Sequence, residues 1–116
     1  MAVDTNTLVA TDIELIVYEF LVRRRINFQF ETSLSGGRFA LGGSVVDFLV
    51  EPNLAWRIMG EYWHHGVAKT GSDLIQREML TNLGYVVVDL WGDDILDPAR
   101  LEQTMKLALQ GQEMLR

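Results

Sequence analysis

The segment Tyr85-Val86-Val87-Val88-Asp89-Leu90-Trp91 constrains this fold more than any other. Its β-branched and aromatic residues read as a strand that is mostly buried. A helical pattern precedes it from Ser72 to about Leu83, with Leu74, Ile75, Met79, Leu80 and Leu83 expected inward and Gly84 as the stop. Before that helix, Leu54 to Met59 reads as another strand. Strand, helix and strand in succession require a parallel crossover, because two parallel strands cannot be joined by a tight turn. The chain is therefore expected to fold as an α/β protein around a mixed sheet with helices packed on it.

The remaining elements build outward from this unit. Thr11 followed by Glu14 has the spacing of a capping box. Ile13, Ile16, Val17, Phe20 and Leu21 then recur at helical spacing, so a helix is expected from about Asp12 to Arg24. Arg23, Arg24 and Arg25 lie at the negative end of its dipole. From Ile26 to Glu31 the apolar residues alternate, as in a half-exposed strand. Ser33 to Gly43 contains four glycines and reads as a loop. Val45 to Val50 is a short apolar run that turns at Glu51-Pro52-Asn53 and forms a hairpin with Leu54 to Met59. Gly60 to Gly71 is irregular, and Asp97-Pro98 opens a last helix with Asp at the cap and Pro at the first position. The expected order is αβββαβα, with about four strands.

Length and composition set the frame. A chain of 116 residues buries roughly two-thirds of its unfolded surface, enough for one core, so residues 1–116 are expected to form a single domain. Cysteine is absent, which excludes disulfides, thiol nucleophiles and thiolate zinc sites and suits a reducing compartment. No apolar run is long enough to span a membrane, and the first residues lack the basic-then-apolar form of a secretory signal. The expected location is the cytoplasm. The net charge of −6 argues against a purely electrostatic nucleic-acid binder. It is compatible with a nuclease, whose metal-holding carboxylates themselves lower the isoelectric point.

Three features carry chemistry. Asp47 lies inside Val-Val-Asp-Phe-Leu-Val, where an ionised carboxylate is costly to bury without a partner. An outward-facing residue at a sheet edge would explain it structurally. Next comes Met59-Gly60-Glu61-Tyr62-Trp63-His64-His65, which gathers a carboxylate, two aromatics and both histidines of the chain just after a strand. Its structural explanation is a Tyr and Trp wedged into the core with solvated histidines beyond. Glu14 is the third, and a capping acid explains it without any function.

Together these pieces resemble the PD-(D/E)XK nuclease superfamily, and more closely its branch containing the very-short-patch-repair endonuclease. The resemblance rests on Glu14 in the first helix, Val46-Asp47-Phe48 in the hairpin and Gly60-Glu61-Tyr62-Trp63-His64 after the next strand. Asp73 and Arg77 in the following helix and Gly84 to Trp91 continue it, so that it covers about residues 11–96. The resemblance implies a restriction-endonuclease-like fold and a metal-dependent DNA endonuclease that nicks or acts on particular DNA structures. It implies Glu14, Asp47, Glu61 and His64 as catalytic residues, with Asp47, Glu61 and Glu14 as ligands to Mg²⁺, or Mn²⁺ in its place. The usual acid-x-Lys pair of the superfamily is missing: Arg57, Ile58 and Met59 stand there. The repair branch also lacks that Lys and uses histidine chemistry. Its second His, before the glycine, is Met59 here, and Glu61 is the nearest replacement acid. A different outcome of the same departures is a catalytically inactive nuclease-fold subunit that binds DNA or serves assembly.

DNA is the expected partner, with Arg23, Arg24, Arg25, Arg38 and Arg77 as the groups that would meet phosphates. For the arginine triplet the structural alternative is a solvated helix end. Asp73 and Arg77 are four residues apart, so a surface ion pair would explain them equally well. Leu101, Met105, Ala108, Leu109 and Leu115 form an apolar stripe on the last helix. It points either to a homodimer, which would bring two arginine clusters to one duplex, or to a helix that covers the domain's own sheet.

Overall fold

The structure is a computed structural model that describes residues 5–30, 39–41, 44–59 and 70–114. Its elements are α1 (Thr5–Arg23), β1 (Phe28–Phe30), β2 (Phe39–Leu41), β3 (Ser44–Val46), β4 (Phe48–Val50), β5 (Leu54–Met59), α2 (Thr70–Asn82), β6 (Val86–Trp91), α3 (Gly92–Ile95) and α4 (Pro98–Leu109). The main sheet has four strands in the order β1-β4-β5-β6. β1 pairs with β4 and β4 with β5 antiparallel, while β5 and β6 run parallel, with Leu54 opposite Val86 and Met59 opposite Trp91. This is the mixed sheet that the strand–helix–strand pattern requires. β2 and β3 form a separate antiparallel pair, so a short strand lies where the glycine-rich stretch reads as loop.

Alternation along the strands sorts side chains onto two faces. Phe48, Val50, Leu54, Trp56, Val88 and Leu90 face Ile13, Val17 and Leu21 of α1, with Ile95, Met105 and Ala108 of α3 and α4 completing that core. Ala55 and Val87 face the other way and pack with Val46 and with Leu80 of α2. The result is three layers, with α2 and, beside it, β3 on one face.

Several boundaries differ from expectation. α1 begins at Thr5. Thr5 to Ala10 contains no glycine or proline to stop a helix, so Thr11 lies within it and the Thr11/Glu14 pair is not a capping box. The helix ends as expected after Arg23, and Arg25 adopts the left-handed conformation with φ of 55°. There Ile26 N–H donates to the Leu21 carbonyl at 3.0 Å and Arg25 N–H to that of Val22 at 3.1 Å. Gly84 does stop α2, in the same kind of reversal with φ of 94°. On α2, however, only Leu80 of the five apolar residues expected inward is buried. Leu74, Ile75, Met79 and Leu83 are exposed, because the helix lays Gln76 and Arg77 over charged groups of the sheet. Asp97 caps α4 as expected, its Oδ1 accepting from Ala99 N–H at 2.9 Å. α3, a single turn between β6 and α4, has no counterpart in the apolar periodicity.

The α4 stripe belongs to the core. Met105 and Ala108 are fully buried against the sheet, and Leu101 and Leu109 pack beside them. It covers the domain's own sheet, the second of the two expectations for this stripe; Leu115 lies outside the described residues. No described helix is long and apolar enough to cross a membrane.

Candidate carboxylate site and the charged network behind it

Glu14 and Asp47 are both removed from solvent. Glu14 is 3% exposed and borders the Ile13, Val17 and Leu21 stripe of α1 that packs on the sheet. Its Oε1 is buried and has no hydrogen-bond partner among the described residues. Such a group is rare, because an unpaired buried polar atom costs about 1–3 kcal/mol, and more when charged. Trp56 Nε1, on the sheet face that α1 covers, is a buried donor in the same condition.

Asp47 is 2% exposed and occupies the break between β3 and β4. Its backbone N–H donates to the Trp56 carbonyl at 3.1 Å, and its Oδ2 accepts from Ile58 N–H at 2.7 Å. The side chain thus takes the place of a ladder carbonyl, which holds the carboxylate against β5 and interrupts the strand. This disposes of the outward-facing explanation: Asp47 is inside. Glu61 and His64 lie outside the described residues, as does Arg38. Among the described residues no three Asp, Glu or His side chains form a group that could hold a metal ion.

Sequence reasoning missed the most densely bonded charges among the described residues. On the α2 side of the sheet, Arg57 of β5 is aligned with Asp89 of β6. Arg57 donates from Nε to Asp89 Oδ1 at 2.6 Å and from Nη2 to Oδ2 at 2.8 Å, a two-point bond between buried groups. Arg77 of α2 adds Nη1 to Asp89 Oδ2 at 2.8 Å. Through Nη2 it holds Glu113 Oε2 at 3.0 Å, and Glu113 Oε1 accepts from Asp89 N–H at 3.2 Å. Arg77 therefore bonds two carboxylates among the described side chains, one from β6 and one from the segment after α4; the Asp73 side chain lies outside them. The signal was present in Asp89, one carboxylate within a strand otherwise apolar, just as at Asp47. Its partner is placed by parallel register, which spacing along the chain does not reveal.

The arginine triplet forms the end of α1. Arg23 is exposed and 3.9 Å from Glu19. Arg24 bonds Glu102 of α4 at 2.7 Å and lies over the Phe20 ring at 4.3 Å. Arg25 is the left-handed residue that terminates the helix.

The chain matches no family model, no curated protein and no solved structure.

Proposed function

We propose that this protein is a metal-dependent DNA endonuclease with a restriction-endonuclease-like fold. The Oε1 of Glu14 carries the reading: a buried carboxylate oxygen with no hydrogen-bond partner among the described residues is what a hard cation would satisfy. Further support comes from the sheet itself, with α1 and α2 on opposite faces of three antiparallel strands and a parallel fourth. The donor set fits Mg²⁺ or Mn²⁺, since Glu14 and Asp47 supply only oxygen and Asp47 is anchored by a backbone N–H. Glu61 joins them as a third ligand on the strength of sequence alone. When bound, such an ion supplies positive charge to a scissile phosphate and lowers the pKa of a water. His64 is the group to move a proton near neutral pH. Arg23, Arg24, Arg25, Arg38 and Arg77 are the proposed phosphate contacts.

One observation favours a second reading, an inactive nuclease-fold subunit that binds DNA or serves assembly. Arg57 stands where the superfamily carries an acid, and its guanidinium is bound to Asp89. Incubation with supercoiled, nicked, single-stranded and branched DNA, with Mg²⁺, Mn²⁺ or chelator, separates the two. The nuclease reading expects cleavage that needs the ion and is lost in Asp47→Asn and Glu14→Gln at retained fold. DNA bound but uncut by a folded chain establishes the second reading. Full cleavage by either variant removes the assigned site.

A further inference from the structure

Glu113 stands two residues beyond Gly111, where α4 ends in a sharp reversal. Gln112 N–H donates to the Leu107 carbonyl at 2.9 Å and Gly111 N–H to that of Ala108 at 3.0 Å. Gly111 has φ of 76°, and a Cβ there would lie 2.9 Å from Val86 Cγ1, so the turn is pressed against the start of β6. This reversal brings the Glu113 carboxylate back to two donors from different elements. One is Arg77 Nη2 on α2, at 3.0 Å from Oε2; the other is the Asp89 backbone N–H on the edge strand β6, at 3.2 Å from Oε1.

Both oxygens of one anion are held at once, as in a receptor for a forked oxyanion. The charges agree. Arg57 and Arg77 against Asp89 leave one positive charge, and Glu113 balances it. Arg77 and Glu113 are 28% and 33% exposed, so one anion can replace another here without opening the core. A phosphodiester offers the same two features, two terminal oxygens and a single negative charge.

We infer that Glu113 is a tethered occupant of a phosphate subsite. The Arg77 guanidinium and the Asp89 N–H take a DNA backbone phosphate when Glu113 leaves, and Glu113 restrains binding while it stays. This subsite rests on the DNA reading above. It also explains how Arg77 can serve as a DNA contact although a carboxylate already holds it.

The test is fluorescence anisotropy of a labelled duplex in chelator across a potassium chloride series, with the full chain and a thermal melt for each variant. Glu113→Gln should bind about 5-fold tighter than the wild type at low salt. Its slope of log affinity on log salt should steepen by about 0.9, the value for one added phosphate contact on a duplex. Adding Arg77→Gln should return both to wild-type values. Glu78→Gln makes the same charge change on an exposed neighbour of Arg77 and should leave the slope unchanged. Gly111→Ala displaces the carboxylate without altering charge and should reproduce the gain, which covers the case of a misfolded Glu113→Gln. Equal behaviour of Glu113→Gln and Glu78→Gln, in a wild type that binds DNA, overturns the subsite alone. No binding by folded wild type and folded Glu113→Gln removes the DNA reading, and the subsite with it.

Discussion

Replacing Asp89 by Asn tests whether the buried charges on the α2 side hold the domain together. The substitution keeps shape and removes the charge that accepts from Arg57 Nε at 2.6 Å, Arg57 Nη2 at 2.8 Å and Arg77 Nη1 at 2.8 Å. Arg57 is buried in the central strand of the sheet, so its guanidinium cannot turn out to water. Removing one partner of such a pair costs about 3–5 kcal/mol. Asn keeps one acceptor oxygen, which places the expected loss near 3 kcal/mol. For 116 residues, with an unfolding entropy of about 2.1 cal/mol/K per residue, this lowers Tm by roughly 12 °C. Calorimetry measures that shift directly. Urea unfolding should give a lower midpoint with the same slope, as expected when stability alone changes. Pairing Arg57→Met with Asp89→Leu should recover most of the loss, because the cost lies in the uncompensated charge. A Tm change in Asp89→Asn under about 4 °C, the scale of an exposed ion pair, would refute the reasoning.

Three further outcomes are expected. Glu14→Met removes a buried acceptor that has no hydrogen-bond partner among the described residues, and should raise stability by about 1–2 kcal/mol in chelator while abolishing any divalent-dependent cleavage; a lower Tm would show the carboxylate to be structural. Arg25→Gly relieves a left-handed residue and should stabilise by about 1 kcal/mol in urea unfolding, while weakening DNA binding if the triplet meets phosphate. Gly111→Ala should cost about 2 kcal/mol, roughly twice the loss from Gly84→Ala, since both glycines have positive φ but only a Cβ at 111 would meet another side chain closely; equal losses on calorimetry would contradict the packing at Val86.

What the sequence made legible was whatever local chemistry decides. The parallel crossover followed from two apolar runs flanking a helix, and the Asp97-Pro98 start and Gly84 stop followed from caps. The inward face of α2 is not legible in this way, because periodicity reports where apolar residues fall and cannot report what the sheet presents to the helix. Arg57 and Asp89 draw Gln76 and Arg77 inward, and Leu74, Ile75 and Met79 are left outside. α1 starts seven residues before the expected Asp12 for a related reason: a capping signature marks a start only where the preceding residues cannot continue the helix. At the site, the anomaly of Asp47 in an apolar run was readable, and its burial answers to that anomaly. Its bond to Ile58 N–H depends on strand register and was not.

The two charged regions meet in β5. Arg57 sends its side chain to one face of the sheet, where Asp89 holds it, and the next residue gives its backbone N–H to Asp47. Adjacent residues of one strand therefore fix the ion network and anchor the candidate ligand. An apolar residue at 57 would pack without desolvation cost, yet beyond the backbone ladder it would leave the side chains of β5 joined to those of β6 and α2 by contacts without directional preference. A two-point guanidinium–carboxylate bond sets register as well as proximity. With β5 and β6 held at the Arg57–Asp89 pair, the Ile58 N–H is held where Asp47 needs it, and the carboxylate's position becomes a consequence of strand pairing. On this argument the network is the support of the site rather than a rival to it.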